Sequence, residues 1–110
     1  MNKLVVITGA SAGVGKEIAD IMASKQWDII LAARSESKLA ELSNELSGKY
    51  NVSVKYCPVD LASADGPEKL HDYCKSNNLN PDMLINNAGC GLFGEAIELG
   101  DKVMGMLHLN

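Results

Sequence analysis

The chain has 110 residues, 46% of them hydrophobic and 22% charged, and ten basic against fourteen acidic side chains leave a net charge of −4. A chain this long buries about 60–70% of the surface its unfolded form exposes, enough for one core and too little for two domains. The longest apolar runs, Leu4 to Ile7 and Ile29 to Ala33, fall short of the roughly 20 residues of a membrane span, and the acidic balance without a Lys/Arg cluster sets aside nucleic acid and membrane surfaces as partners.

Leu4 to Ile7 reads as a buried strand that meets small residues at Gly9. Val14, Ile18, Ile21 and Met22 then follow helical spacing until about Lys25. Asp28 to Ala33 is a second strand. Ser35 is placed to cap a second helix with Leu39, Leu42 and Leu46 on one face, and Gly48 to end it. Val52 to Cys57 alternates as a third strand, and a third helix starts at Pro67 and stops at Asn77 and Asn78. Met83 to Ile85 makes a fourth strand, Asn86 to Gly94 a loop, and Leu99 to Leu109 the beginning of another helix. Strands alternating with helices predict an α/β fold with a doubly wound parallel sheet, incomplete over residues 1–110, with spatial strand order 3-2-1-4. The fourth strand would be an open edge, which leaves the chain marginal or dependent on a second copy.

The first strand runs directly into Thr8 to Gly15, TGASAGVG, and then into a helix. A turn of small residues between strand and helix lets amides at a helix N-terminus approach a pyrophosphate. Gly9 permits the turn, Gly13 lets backbone and phosphate meet, and Gly15 lets the helix pack close to the sheet. A P-loop would need glycine at position 10 and a hydroxyl at 17, where the chain has Ala10 and Glu17. GxGxxG fails as well, because its third glycine falls on Ile18.

TGASAGVG together with the NNAG of Asn86 to Gly89 resembles the cofactor half of the short-chain dehydrogenase/reductase family. The resemblance implies the N-terminal part of a Rossmann-type domain that binds NAD(P), with Gly9, Ser11, Gly13, Val14 and Gly15 in the cofactor loop. In such folds the end of the second strand chooses the cofactor. That position holds Ala33 and then Arg34 instead of a carboxylate, so NADP is expected, with NADPH preferred over NADH: Arg34 offers a planar fork of donors to a 2′-phosphate. Ser11 is a second contact implied by the resemblance; Glu36, close by, works against the assignment. The resemblance also gives Asp60 a role at the adenine amino group and Leu61 a backbone contact. A plain turn cap is the other reading of Asp60. Asn87, Ala88 and Gly89 are expected along the ribose and the approach to the nicotinamide, whereas Asn86 is expected to brace the loop through backbone hydrogen bonds.

The chemistry implied is hydride transfer between a nicotinamide and a carbonyl or alcohol, with the family's Tyr and Lys in a YxxxK motif. The residues four beyond Tyr50, Tyr56 and Tyr73 are Val54, Asp60 and Asn77, so none makes it. Asn110 stands where the family's relay Asn belongs. The chain is therefore expected to be a truncated piece of a larger reductase or a remnant without the chemistry, inactive by itself; a non-catalytic dinucleotide-binding module is the alternative. The expected partners are a small carbonyl or alcohol substrate and, at full length, further copies of the chain. Cys57, Cys74 and Cys90 have no CxxC spacing and only His71 and His108 to join them, so no metal site is expected. The odd cysteine count fits a reducing, cytoplasmic compartment.

Overall fold

The computed structural model describes residues 2–11 and 13–87, and the backbone of 97–99, 102–104 and 106–107. Four strands and three helices alternate: β1 (Leu4–Thr8), α1 (Gly13–Ser24), β2 (Asp28–Ala33), α2 (Glu36–Tyr50), β3 (Val54–Pro58), α3 (Gly66–Ser76) and β4 (Met83–Ile85). They are followed by β5 (Ile97–Leu99), β6 (Lys102–Met104) and β7 (Met106–Leu107). The main sheet has the order β3-β2-β1-β4-β7, and every pairing in it is parallel. The expected 3-2-1-4 arrangement is present.

Side-chain alternation explains why β1 and β2 read as unbroken apolar runs. Val5 and Ile7 of β1 and Ile29 and Leu31 of β2 pack on one face with Ile18 and Ala19 of α1 and Leu39, Leu42 and Leu46 of α2. Val6, Ile30 and Ala32 point the other way and join Cys57, Leu70, Cys74 and Leu84 beside α3. A parallel sheet with helices on both faces leaves no position in its central strands for a polar side chain. Thr8, buried at the end of β1, is the exception, and it belongs to the site described below.

Three local expectations are corrected. Gly48 does not end α2, which continues to Tyr50; Asn51 closes it in the left-handed region at φ 56°, its N–H donating to Ser47 O. Asn tolerates that conformation and caps helices there much as glycine does. Ser35 does occupy the N-cap position of α2, but its side chain makes no capping bond and its Oγ lies 3.4 Å from Ser37 Oγ. The helix expected from Leu99 to Leu109 is replaced by strands: β5 pairs antiparallel with β6. β7 adds to β4 in the register Leu84 to Met106 and Ile85 to Leu107. Gly100 and Gly105 interrupt the helical pattern at about 1 kcal/mol each relative to alanine, and the edge of β4 offers backbone groups that a strand can satisfy.

Carboxylates pin the start of the strands. Asp82 Oδ2 accepts the N–H of Leu4 at 2.9 Å. Asp28 Oδ1 accepts from Ser53 N at 3.0 Å and from Asn2 Nδ2 at 3.2 Å. The opposite ends of the strands are left free to build a crevice.

Candidate cofactor site

The turn after β1 needs its glycines. Gly9 has φ 63° and Gly13 φ 60°, values that L side chains rarely adopt, and Gly9 N–H donates to Ala32 O at 2.8 Å. Gly15 is needed for a different reason. A Cβ there would collide with the carbonyl oxygen of Gly9 and approach Asn87 Nδ2 to 2.7 Å, so α1 lies against the loop only because this residue has no side chain.

Thr8 joins that loop to the one after β4. Its hydroxyl donates to Asn86 Oδ1 at 2.7 Å and accepts the N–H of Asn87 at 2.8 Å. Asn87 Nδ2 in turn reaches Gly9 O at 3.5 Å. These bonds tie together two neighbouring parallel strands at their carboxyl ends, and Asn86 braces the loop through its side chain on Thr8, where backbone hydrogen bonds are expected from the sequence.

A cavity of about 830 Å³ lies at these strand ends. Gly9 and Ser11 line it from the β1 turn, Ala33, Arg34, Ser35 and Lys38 from the end of β2 and the start of α2, Val59 to Ala62 from the turn after β3, and Asn87 from the loop after β4. Its place beside the reversal of strand order between β1 and β4 is where open α/β sheets hold their ligands. Its size is that of a small-molecule pocket.

Six of the expected residues are brought together: Gly9, Ser11, Arg34, Asp60, Leu61 and Asn87 line one cavity. Gly13, Val14 and Gly15 do not. Gly13 borders a separate depression between α1 and α2, and Val14, 43% exposed, is absent from the cavity lining. Ala88, Gly89 and Asn110 lie outside the described residues. Two roles are missed in the sequence: Thr8 opens the glycine motif there, but its hydroxyl is given no part in joining the two loops, and Lys38, four residues past Arg34 and therefore in the first turn of the helix that follows it, is not singled out.

The charges in the cavity are unevenly satisfied. Among the described residues the ion pairs are Lys49 with Asp20 and Lys69 with Asp65; Arg34 and Lys38 take part in neither. Among the described residues Asp60 is the one acid in the lining, and its Oδ1 already accepts the N–H of Ala62 at 2.9 Å, so the turn-capping role of this carboxylate is real. Glu36 is exposed and does not line the cavity.

Among the described residues no group of three or more His, Cys, Asp or Glu is placed to hold a metal, and no helix is long and apolar enough to cross a membrane. Cys57 and Cys74 are buried free thiols. Burial pushes both up from the ordinary thiol range, Cys74 to about 11, which leaves them protonated and unreactive at neutral pH.

A parallel sheet with a glycine turn into a helix and a crevice at its carboxyl edge defines the dinucleotide-binding class of α/β domain. The chain belongs to the short chain dehydrogenase family, whose profile matches residues 3–110. It is 42% identical over 86 residues to a very-long-chain 3-oxoacyl-CoA reductase of Candida glabrata, an alignment covering 76% of this chain and 24% of that one. L-Sorbose reductase from Gluconobacter frateurii, solved with NADPH and L-sorbose, superposes with a TM-score of 0.76 at 35% identity, over 91% of this chain and 38% of that one. An alcohol dehydrogenase from the archaeon Thermococcus sibiricus, complexed with 5-hydroxy-NADP, gives 0.77 at 33% identity, over 92% and 43%. The chain thus spans about a quarter of the curated relative's length.

Proposed function

We propose that this chain is the NADP(H)-binding half of a cytoplasmic oxidoreductase that transfers hydride between the nicotinamide and a carbonyl or alcohol. The carrying observation is the cavity itself: at the end of β2, where a carboxylate would hold the two ribose hydroxyls of NAD, the lining has Ala33 and an Arg34 that makes no ion pair among the described residues. Two structural neighbours were solved with NADPH or an NADP derivative, which supports the same cofactor here.

The cofactor supplies the hydride; the residues of this chain bind and orient it. Gly9 keeps a side chain out of the pyrophosphate's approach to the N-terminus of α1, where the helix dipole favours negative charge, and Gly15 lets that helix lie against the loop. Arg34 meets the 2′-phosphate with a charge-assisted fork, and Ser11 stands beside it. Asp60 and Leu61 border the adenine, and Asn87, Ala88 and Gly89 the ribose and the path to the nicotinamide. Proton transfer is a different matter. None of Tyr50, Tyr56 and Tyr73 lines the cavity, and Asn110 has the relay role only beside a Ser and a YxxxK contributed by further sequence. By itself the chain binds cofactor without turnover, and the full-length protein acts as a homo-oligomer.

The test is a calorimetric titration of the 110-residue chain with NADPH and with NADH, followed by an assay against a panel of carbonyl substrates. NADPH should bind at least tenfold more tightly, with no turnover. Equal affinities would remove the NADP assignment, no binding of either would remove the cofactor reading, and turnover would show that the chemistry resides in these residues.

A further inference from the structure

The geometry points to Lys38 as a second specificity-determining residue, which joins Arg34 at the 2′-phosphate from the first turn of α2. This inference rests on the NADP reading above and deepens it. Arg34 leaves the end of β2, whereas Lys38 rises from the first turn of α2, so the two side chains enter the cavity from different elements. Cα–Cβ bonds in a helix tilt toward its N-terminus, and Lys38 is therefore directed back over the turn that carries Arg34 and Ser35.

Three observations favour a bound anion over a solvated lysine. Among the described residues Lys38 makes no ion pair, although Glu41 and Glu45 share a smaller neighbouring cavity with it. It sits at the end of the helix where the dipole disfavours a cation, an arrangement that a phosphate would reverse. With Arg34 it makes two positive charges against Asp60 in the lining, and Asp60 is already turned to the Ala62 amide. A phosphate monoester with close to two negative charges matches that pair of cations.

The experiment is titration of wild type, Lys38→Met, Lys38→Arg and Arg34→Ala with NADPH, NADH and 2′,5′-ADP, with the melting temperature of each ligand-free protein recorded. Lys38 is exposed, so its replacement leaves the core alone. Lys38→Met should lose about tenfold in affinity for NADPH and for 2′,5′-ADP, change NADH by less than twofold, and melt at or slightly above the wild-type temperature. Lys38→Arg should restore most of the loss. Unchanged NADPH binding in Lys38→Met beside a large loss in Arg34→Ala overturns the role of Lys38 and leaves the cofactor assignment standing. Equal losses for NADPH and NADH overturn its specificity for the phosphate. A wild-type protein that binds none of the three overturns the cofactor reading and this inference with it.

Discussion

Thr8 Oγ1 accepts the backbone N–H of Asn87 at 2.8 Å, across 79 residues of chain. The same hydroxyl donates to Asn86, so one small side chain ties the phosphate-side turn to the loop beyond β4. A threonine is suited to this: β-branched enough for a strand, with a hydroxyl that can donate once and accept twice.

Thr8→Val keeps the shape of the side chain and removes both bonds. Thr8 is fully buried, and the Asn87 amide would be left without its acceptor, a loss of about 1–3 kcal/mol. The urea midpoint should fall accordingly with an unchanged slope. A variant as stable as wild type would show that water replaces the hydroxyl.

The glycines should separate by cause. In Gly15→Ala the new methyl meets backbone at Gly9, and overpacking of that kind costs about 1–3 kcal/mol, together with loss of NADPH binding as α1 is pushed from the loop. Gly48→Ala, exposed on α2 with open space around it, should stabilise by about 0.5–1 kcal/mol without touching affinity. Thermal melts and titrations on both variants check the contrast.

Arg34→Ala should weaken NADPH at least tenfold and leave NADH nearly unchanged, the loss of about 1.5–3 kcal/mol in a charge-assisted contact. Raising the salt concentration should narrow the wild-type preference in the same direction, since an exposed pair of charges is screened. Parallel losses for the two cofactors would mean that Arg34 contacts something common to both.

Alkaline pH should destabilise the fold. Burial holds the Cys57 and Cys74 thiols and the Tyr73 hydroxyl above their ordinary ranges, Cys74 at about 11. Below the ordinary thiol range both folded and unfolded chains keep the proton, and these groups do not change stability. Between roughly pH 8.5 and 11 the unfolded chain releases protons that the folded chain retains, so stability falls with rising pH, by about 2–3 kcal/mol for Cys74. Urea midpoints at pH 7.5 and 10.5 should show the fall, and Cys74→Ala should reduce it.

What could be read in advance follows burial. β2 and β4 begin and end where the sequence predicts, since an apolar strand covered on both faces declares itself. The β1 turn is equally legible, because only glycine tolerates the backbone at Gly9 and the packing at Gly15. Ends governed by tertiary context are less so: Gly48 looks like a helix stop, but nothing in α2 requires one before Asn51. β7 depends on the edge of β4, and β5 and β6 depend on each other, partners that helical spacing does not reveal. Thr8 and Lys38 are legible only once the sheet and α2 place them beside Asn87 and Arg34.

The carboxylate staples of Asp28 and Asp82 stand at the opposite end of the strands from the cavity, a separation of roughly 17–20 Å for strands of this length. The chain therefore has a foundation and a workbench. Replacements at the foundation alter how long the fold survives, and on the cofactor reading proposed above replacements at the workbench alter which dinucleotide it selects, with little shared cost between them. A lineage built on this half-domain can exchange one cofactor for another by rewriting a few residues after β2, while the staples that hold the sheet together pass on untouched.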